Sequence, residues 1–288
     1  MTTPHRLLPA DRTLGVIGAG VMGQTLMKGL LDARLLTPDQ VWAVERSAAT
    51  REDVHTRLGV ATYEHYDDAM GTADIVILCV KPTQMATALG AARDASPRPE
   101  TLFMSILAGV TTAQLEAGLG LPNPWVRAMP NTPAVVGAGM TVVCRGRDAT
   151  AEHIELARRA FSAVGRCEVV DEGYCNAITA LSGSGPAYMY LVMEALADAG
   201  VRVGLPRDLA LTLVAQTMLG SARMVLETSR HPASLRDDVT TPAGCTIGGL
   251  LMLEDGKIRS VLARAVEEAT RIVDRLGHAA AKSKDTHS

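Results

Sequence analysis

Hydrophobic residues run through this chain in two rhythms, and the change comes near residue 170. Before it, short continuous apolar runs alternate with stretches whose apolar positions recur every three or four residues. The runs include "LGVI" (14–17), "VWAV" (41–44), "ADIVILCV" (73–80), "TLFMSIL" (101–107), "WVRAM" (125–129) and "TVVC" (141–144). Continuous runs of this length mark strands buried on both faces, as in a parallel sheet. Leu26, Met27, Leu30 and Leu31 instead share one helical face. Alternation of the two predicts a doubly wound α/β domain up to about residue 170. Beyond Val170 only the helical rhythm remains. "GYCNAITALSGSGPAYMYLVMEALADAGVRVGL" (173–205) reads as a helix, a break at Ser182–Pro186 and a long second helix, with Pro186 suited to its first turn. The segment 206–228 is apolar on more than one face, which predicts burial at a subunit interface.

The glycines supply the first chemistry. The strand 14–17 runs into Gly18-Ala19-Gly20-Val21-Met22-Gly23 and then into the helical pattern. This is G-x-G-x-x-G in the context of strand, turn and helix. Gly18 permits the tight turn, Gly20 keeps a side chain away from a pyrophosphate, and Gly23 lets helix and strand pack closely. The free N–H groups at the helix start attract phosphate. The second strand ends at Glu45-Arg46-Ser47, where the adenosine ribose is read. Glu45 suits a 2′-hydroxyl and so NADH; Arg46 and Ser47 suit a 2′-phosphate and so NADPH, towards which the reading leans. Val80-Lys81-Pro82 and Ala108-Gly109 leave later strands at the same sheet edge.

Composition narrows the partners. The 288 residues are 47% hydrophobic and 20% charged, enough for a core in one large or two ordinary domains. With 3% aromatic residues, that core is mainly aliphatic. A net charge of −3 argues against nucleic acid or an anionic membrane surface as partner. No uninterrupted apolar run approaches the roughly 18 residues needed to span a bilayer. The five cysteines are odd in number and lack C-x-x-C spacing, so a disulfide framework is not expected and a reducing cytoplasm fits. The histidines form no metal-binding pattern, so no metal is expected. The expected organisation is a flexible tail at 1–12, a Rossmann-type dinucleotide-binding domain at 13–171, an all-α dimerisation and substrate domain at 172–277, and a disordered tail at 278–288.

With "VIGAGVMG", "VKP", "RAMPNTPAVVGAG", "LSGSGPAY", "AQTMLGSARMVLE" and "DDVTTPAGCTIGGLLMLE" in this order and spacing, the chain resembles the pyrroline-5-carboxylate reductases over about residues 13–277. The last stretch and "SGSGPAY" are far more specific than the glycine fingerprint. The resemblance implies reduction of Δ1-pyrroline-5-carboxylate to L-proline with NAD(P)H. It also implies a homodimer through the C-terminal helices, and in many members a decamer. Ile17, Gly18, Ala19, Gly20, Val21, Met22, Val80, Lys81, Pro82 and Ala108 then fall on the cofactor site, with Glu45, Arg46 and Ser47 on the ribose loop. Gly244, Cys245 and Thr246, with Ser184, fall on the substrate site. Thr246 is the catalytic candidate, donating to the imine nitrogen, and Asp238 stands where many members have a cofactor-touching Asn. Many members read P-G-G-T-T where this chain has Pro242-Ala243-Gly244-Cys245-Thr246, and Ser229 replaces a Glu that some members place near the substrate amine.

The chemistry agrees independently. A protonated cyclic imine is already electrophilic and its reduction develops no alkoxide, so a threonine hydroxyl suffices as partner. Alignment then carries most of the catalysis. A β-hydroxyacid dehydrogenase would place a lysine on the interdomain helix, but the lysines after residue 170 are Lys257, Lys282 and Lys284. A reductase of another cyclic imine is the other alternative, since one pocket residue can shift ring preference.

Overall fold

The computed structural model describes residues 6–67 and 69–282. Its strands are β1 (Thr13–Ile17), β2 (Val41–Val44), β3 (Ala61–Tyr63), β4 (Ala73–Leu78), β5 (Leu102–Ser105), β6 (Trp125–Met129), β7 (Gly139–Arg145) and β8 (Gly165–Val169). They form one sheet in the order β3-β2-β1-β4-β5-β6-β7-β8. The strand order turns outward in both directions from β1 and β4, the doubly wound plan expected. The sheet departs from the fully parallel expectation at one place, because β6 and β7 pair antiparallel. The link from Met129 to Gly139 is shorter than the dozen or so residues that a parallel crossover requires.

Around the sheet lie α1 (Val21–Asp32), α2 (Ala48–Leu58), α3 (Met85–Asp94), α4 (Thr112–Leu119) and α5 (Ala151–Ser162). Both sheet faces are covered, and the strand residues show why apolar runs need not alternate. Along β4, Ile75 and Ile77 join a core with Leu26, Leu30 and Phe161. Val76 and Leu78 join the opposite core with Trp42, Phe103 and Trp125. Phe103 and Trp125 stack with ring centroids 4.9 Å apart.

The later helices are α6 (Cys175–Ile178), α7 (Gly185–Arg202), α8 (Arg207–Thr228), α9 (Pro232–Asp238), α10 (Cys245–Asp255) and α11 (Ile258–Lys282), with a π-helical turn at Thr179–Gly183 before α7. The chain forms two compact units. One runs through Gly183 and takes in the residues from Ala269 on; the other is Ser184–Glu268. The division falls after α6 rather than at residue 171, because α6 belongs to the first core: Cys175 and Ala180 are fully buried, and Asn176 donates to Asp274 at 2.8 Å.

The second unit keeps little core of its own. Ala197 and Ala210 are the buried residues of α7 and α8, whereas Leu191, Leu213, Leu226, Leu251 and Met252 are exposed. By length and mean composition α8 is apolar enough to cross a membrane, although Arg207, Asp208, Gln216, Arg223 and Glu227 interrupt its apolar run. Two further expectations are corrected. Residues 6–12 are not a loose tail: Leu7 and Leu8 are buried, the Leu7 N–H donates to the Leu35 carbonyl, and the Gln40 amide donates to the carbonyls of Pro9 and Arg12. At the other end α11 continues to Lys282, through part of the expected tail, whereas residues 1–5 and 283–288 lie outside the described residues.

Candidate active site

At the end of β1 the chain must turn sharply before α1. Gly18 does so at φ +93°, a conformation that a side chain would strain, and its N–H donates to the Val44 carbonyl at 2.9 Å. Gly20 caps α1 with extended backbone and no side-chain capping bond, and nothing lies within 4 Å of where its Cβ would be. The first N–H groups of α1 are therefore free to meet an anion. Gly23 meets the opposite demand, since a Cβ there would collide with the Gly18 carbonyl oxygen. A pyrophosphate fits this cradle: its space is open at Gly20 and its donors are uncapped.

Beside the cradle lies a cleft of about 330 Å³ that brings together Ile17, Gly18, Gly20, Glu45, Arg46, Val80 and Lys81 among the expected residues. Tyr66, Gln84 and Thr87 join them from segments that sequence reasoning passed over. Tyr66 follows β3 in a polar stretch without a motif; only the fold carries it to the cleft. Burial raises its phenol above the ordinary value, the charge of Arg46 opposes that rise, and Glu45 adds to it. Ala19, Val21, Met22, Ser47, Pro82 and Ala108 do not line the cleft. Val21 is exposed on the first turn of α1, Pro82 begins a 3-10 turn, and Ala108 sits half-buried beside Gly109.

The loop after β2 separates three residues that in sequence point to opposite cofactors, Glu45 to NADH and Arg46 and Ser47 to NADPH. The Glu45 carboxylate accepts from the Ala19 N–H and the Ser47 N–H, both at 3.1 Å. The Ser47 hydroxyl accepts from the Thr50 N–H at 3.3 Å and so caps α2. Arg51 braces the turn through the carbonyls of Glu45 and Arg46 at 2.7 and 2.8 Å, and pairs with Glu64 at 2.9 Å. Arg46 is exposed at the cleft wall and its guanidinium makes no ion pair among the described residues. Glu45 and Ser47 are thus committed within the protein, whereas Arg46 is available to a ligand.

The second expected centre lies in the second unit. Gly244 is the N-cap of α10, with extended backbone and no side-chain capping bond, so the Cys245 and Thr246 N–H groups open an eleven-residue helix. Ahead of it Ala243 adopts φ +58°, where a Cβ costs roughly 1–2 kcal/mol relative to glycine. Thr246 is half-buried and Cys245 exposed. Ser184 is the N-cap of α7 and uses its carbonyl to accept from the Ala187 N–H at 3.0 Å. Asp238 ends α9 in an ion pair with Arg230 at 2.7 Å, a hydrogen bond that holds its carboxyl below the usual value. The side chain of Asn131, not singled out in sequence, links "MPNTP" to "LSGSG". Its amide donates to the Ser182 carbonyl at 3.1 Å and its oxygen accepts from the Met140 N–H at 2.8 Å.

Comparison with known proteins follows the same two-part plan. Residues 172–276 match the pyrroline-5-carboxylate reductase dimerisation family, and residues 13–109 match the family described as NADP oxidoreductase coenzyme F420-dependent. A pyrroline-5-carboxylate reductase of Glycine max is 39% identical, covering 92% of this chain and 96% of its own. A solved pyrroline-5-carboxylate reductase from Coxiella burnetii superposes with a TM-score of 0.87 at 35% identity, over 92% of this chain and 98% of that one. The pyrroline carboxylate reductase of Plasmodium falciparum, solved with NADP bound, gives 0.83 at 29% identity over 93% and 99%. With a full-length relative at this identity and a glycine cradle joined to this helical unit, the chain belongs to the pyrroline-5-carboxylate reductase family.

Proposed function

We propose that this chain reduces Δ1-pyrroline-5-carboxylate to L-proline with NADPH as donor and NADH as the alternative, in the cytoplasm, as a homodimer through the second unit that assembles further into a decamer. The observation that carries the reading is the pairing, in one chain, of an open glycine cradle with an uncapped helix start bearing Thr246. When bound, the reduced nicotinamide supplies a hydride.

The rest falls to the chain. The Cys245 and Thr246 N–H groups receive the substrate carboxylate, aided by the positive end of α10. The Thr246 hydroxyl accepts a hydrogen bond from the protonated ring nitrogen, in place of the donation expected, because that nitrogen keeps no free lone pair, and it fixes which ring carbon faces the donor. No strong acid is required, because the substrate imine enters protonated. The Gly18–Gly23 turn anchors the pyrophosphate, and Arg46 meets the 2′-phosphate that distinguishes NADPH.

The exposed leucines of α7, α8 and α10 support a second copy as partner: a face this apolar is stabilised by covering it with an equivalent one. The same covering accounts for the length and hydropathy of α8 without a membrane. The net charge of −3 gives no support to nucleic acid as a partner.

NADPH consumption that depends on added pyrroline-5-carboxylate and yields proline tests the reaction. For the donor, Arg46→Ala should raise the Kd of NADPH by roughly tenfold, about 1.4 kcal/mol, and leave that of NADH within about twofold. Fluorescence titration of the two nucleotides measures both. An equal effect on both removes Arg46 from phosphate recognition.

A further inference from the structure

Two cysteines that the reaction does not use meet in the core of the first unit. Cys144 on β7 and Cys175 at the start of α6 are 1% and 0% exposed, and their sulfurs lie 2.7 Å apart. Nonbonded heavy atoms ordinarily settle at about 3.5–4 Å, so β7 and α6 hold these two side chains aimed at each other. Arg127 on β6 stands opposite Cys144 in the strand register. Its buried guanidinium pairs with Glu172 at 3.2 Å, yet its Nε has no hydrogen-bond partner. Such a charge beside a thiol favours the thiolate. Cys175 is held below the ordinary thiol value, first by its hydrogen bond with Cys144 and then by Arg127, against the opposing effects of burial and of Glu172. Cys144 is pushed above it by that same hydrogen bond and by burial. The contact and the guanidinium together favour the thiolate at Cys175 over Cys144.

We propose that Cys144 and Cys175 are a redox modification site that closes to a reversible disulfide with a small peroxide as co-reactant. The Cys175 thiolate attacks a peroxide oxygen. An S–O bond forms, the O–O bond breaks, and the departing oxygen takes up a proton to leave as water or alcohol. The Cys144 sulfur then attacks the resulting sulfenic acid at sulfur. The S–S bond forms, the S–O bond breaks, and hydroxide leaves as water with the Cys144 proton. Two thiols lose two electrons in all, and the peroxide gains them. The bond would tie β7 to α6 just ahead of the π-helical turn, where the Thr179 hydroxyl already donates to the Cys175 carbonyl at 2.7 Å. The step uses no residue of the proposed reaction, so it stands or falls apart from it.

The test uses the full-length protein, reduced and then exposed to hydrogen peroxide. It is next unfolded in excess N-ethylmaleimide, digested and mapped by mass spectrometry. The exposed Cys245 serves as the internal gauge of oxidant dose. The expected result is a linked Cys144–Cys175 peptide pair, two hydrogens lighter than the reduced pair, which dithiothreitol returns to two separate maleimide adducts. The proposal is overturned if Cys144 and Cys175 are recovered as separate maleimide adducts at a dose that oxidises Cys245. It is equally overturned if either is linked elsewhere or is carried to sulfinic acid without the pair forming.

Discussion

Replacing Thr246 with alanine is expected to lower kcat/KM for pyrroline-5-carboxylate at least tenfold, roughly 1.4 kcal/mol of transition-state stabilisation. The hydroxyl sits in the first turn of α10, one residue after Cys245 and within the set of free N–H groups opened by Gly244. Alanine keeps helix propensity and the backbone N–H, so carboxylate binding through the main chain persists. What is lost is the hydrogen bond to the ring nitrogen, whose basicity changes as the imine becomes an amine. The loss should therefore appear in kcat more than in KM. Steady-state kinetics of Thr246→Ala beside Thr246→Ser separates the parts: serine should recover most of the rate, since it restores the hydroxyl without the methyl. A fully active alanine variant would remove Thr246 from the chemistry.

Gly23→Ala should be as damaging at the other centre, for a steric rather than chemical reason. The added methyl meets the Gly18 carbonyl oxygen, a backbone atom, so relief requires α1 to move away from the turn. Overpacking of this kind costs about 1–3 kcal/mol. The displacement also misaligns the N–H groups proposed to hold the pyrophosphate. We expect NADPH and NADH to bind at least tenfold more weakly, by the same factor for both because the turn touches what they share, together with a lowered Tm. Nucleotide titration and thermal unfolding measure the two effects. Unchanged affinity for both nucleotides would contradict the role given to this turn. A selective loss of NADPH would contradict it too, since the 2′-phosphate is proposed to be read at Arg46.

Much of this architecture was legible along the chain because local chemistry and global packing agree. The run Leu14–Ile17 could be buried on both faces only in a covered sheet, and Gly18, Gly20 and Gly23 each had one physical reason to be glycine. The change of rhythm near Val170 announced the helical second part. Other features depend on tertiary approach and leave no local signal. Tyr66, Gln84 and Thr87 reach the cleft through the sheet order and carry no pattern of their own. Leu7 and Leu8 looked like two apolar residues in a polar start, yet the Leu35 carbonyl and the Gln40 amide draw that segment onto the core. Cys144 and Cys175, separated by 31 positions, show no spacing that would relate them. Glu45 stood against Arg46 and Ser47 as the reader of the ribose until their partners appeared. Two of them serve the protein's own turn and helix cap, and that alone ranks Arg46 first for the phosphate.

Ala243 remains a local disagreement between sequence and backbone. Where the family resemblance implies glycine, this chain accepts a left-handed alanine immediately before the N-cap of α10. The strain lies next to the helix start proposed to bind substrate, in keeping with the tendency of such residues to gather at functional sites.

The central claim is that α10 presents a site shaped for a five-membered cyclic imine bearing its carboxylate on the saturated carbon that flanks nitrogen, opposite the imine carbon. The direct measurement is steady-state turnover, with NADPH and then NADH, of pyrroline-5-carboxylate against its six-membered homologue and against the five-membered 2-carboxylate imine. One methylene in a pocket changes discrimination by about tenfold or more. The account predicts that kcat/KM for pyrroline-5-carboxylate exceeds that of either rival by at least about tenfold, with L-proline as product. Equal or faster turnover of the six-membered ring or of the 2-carboxylate imine would contradict it.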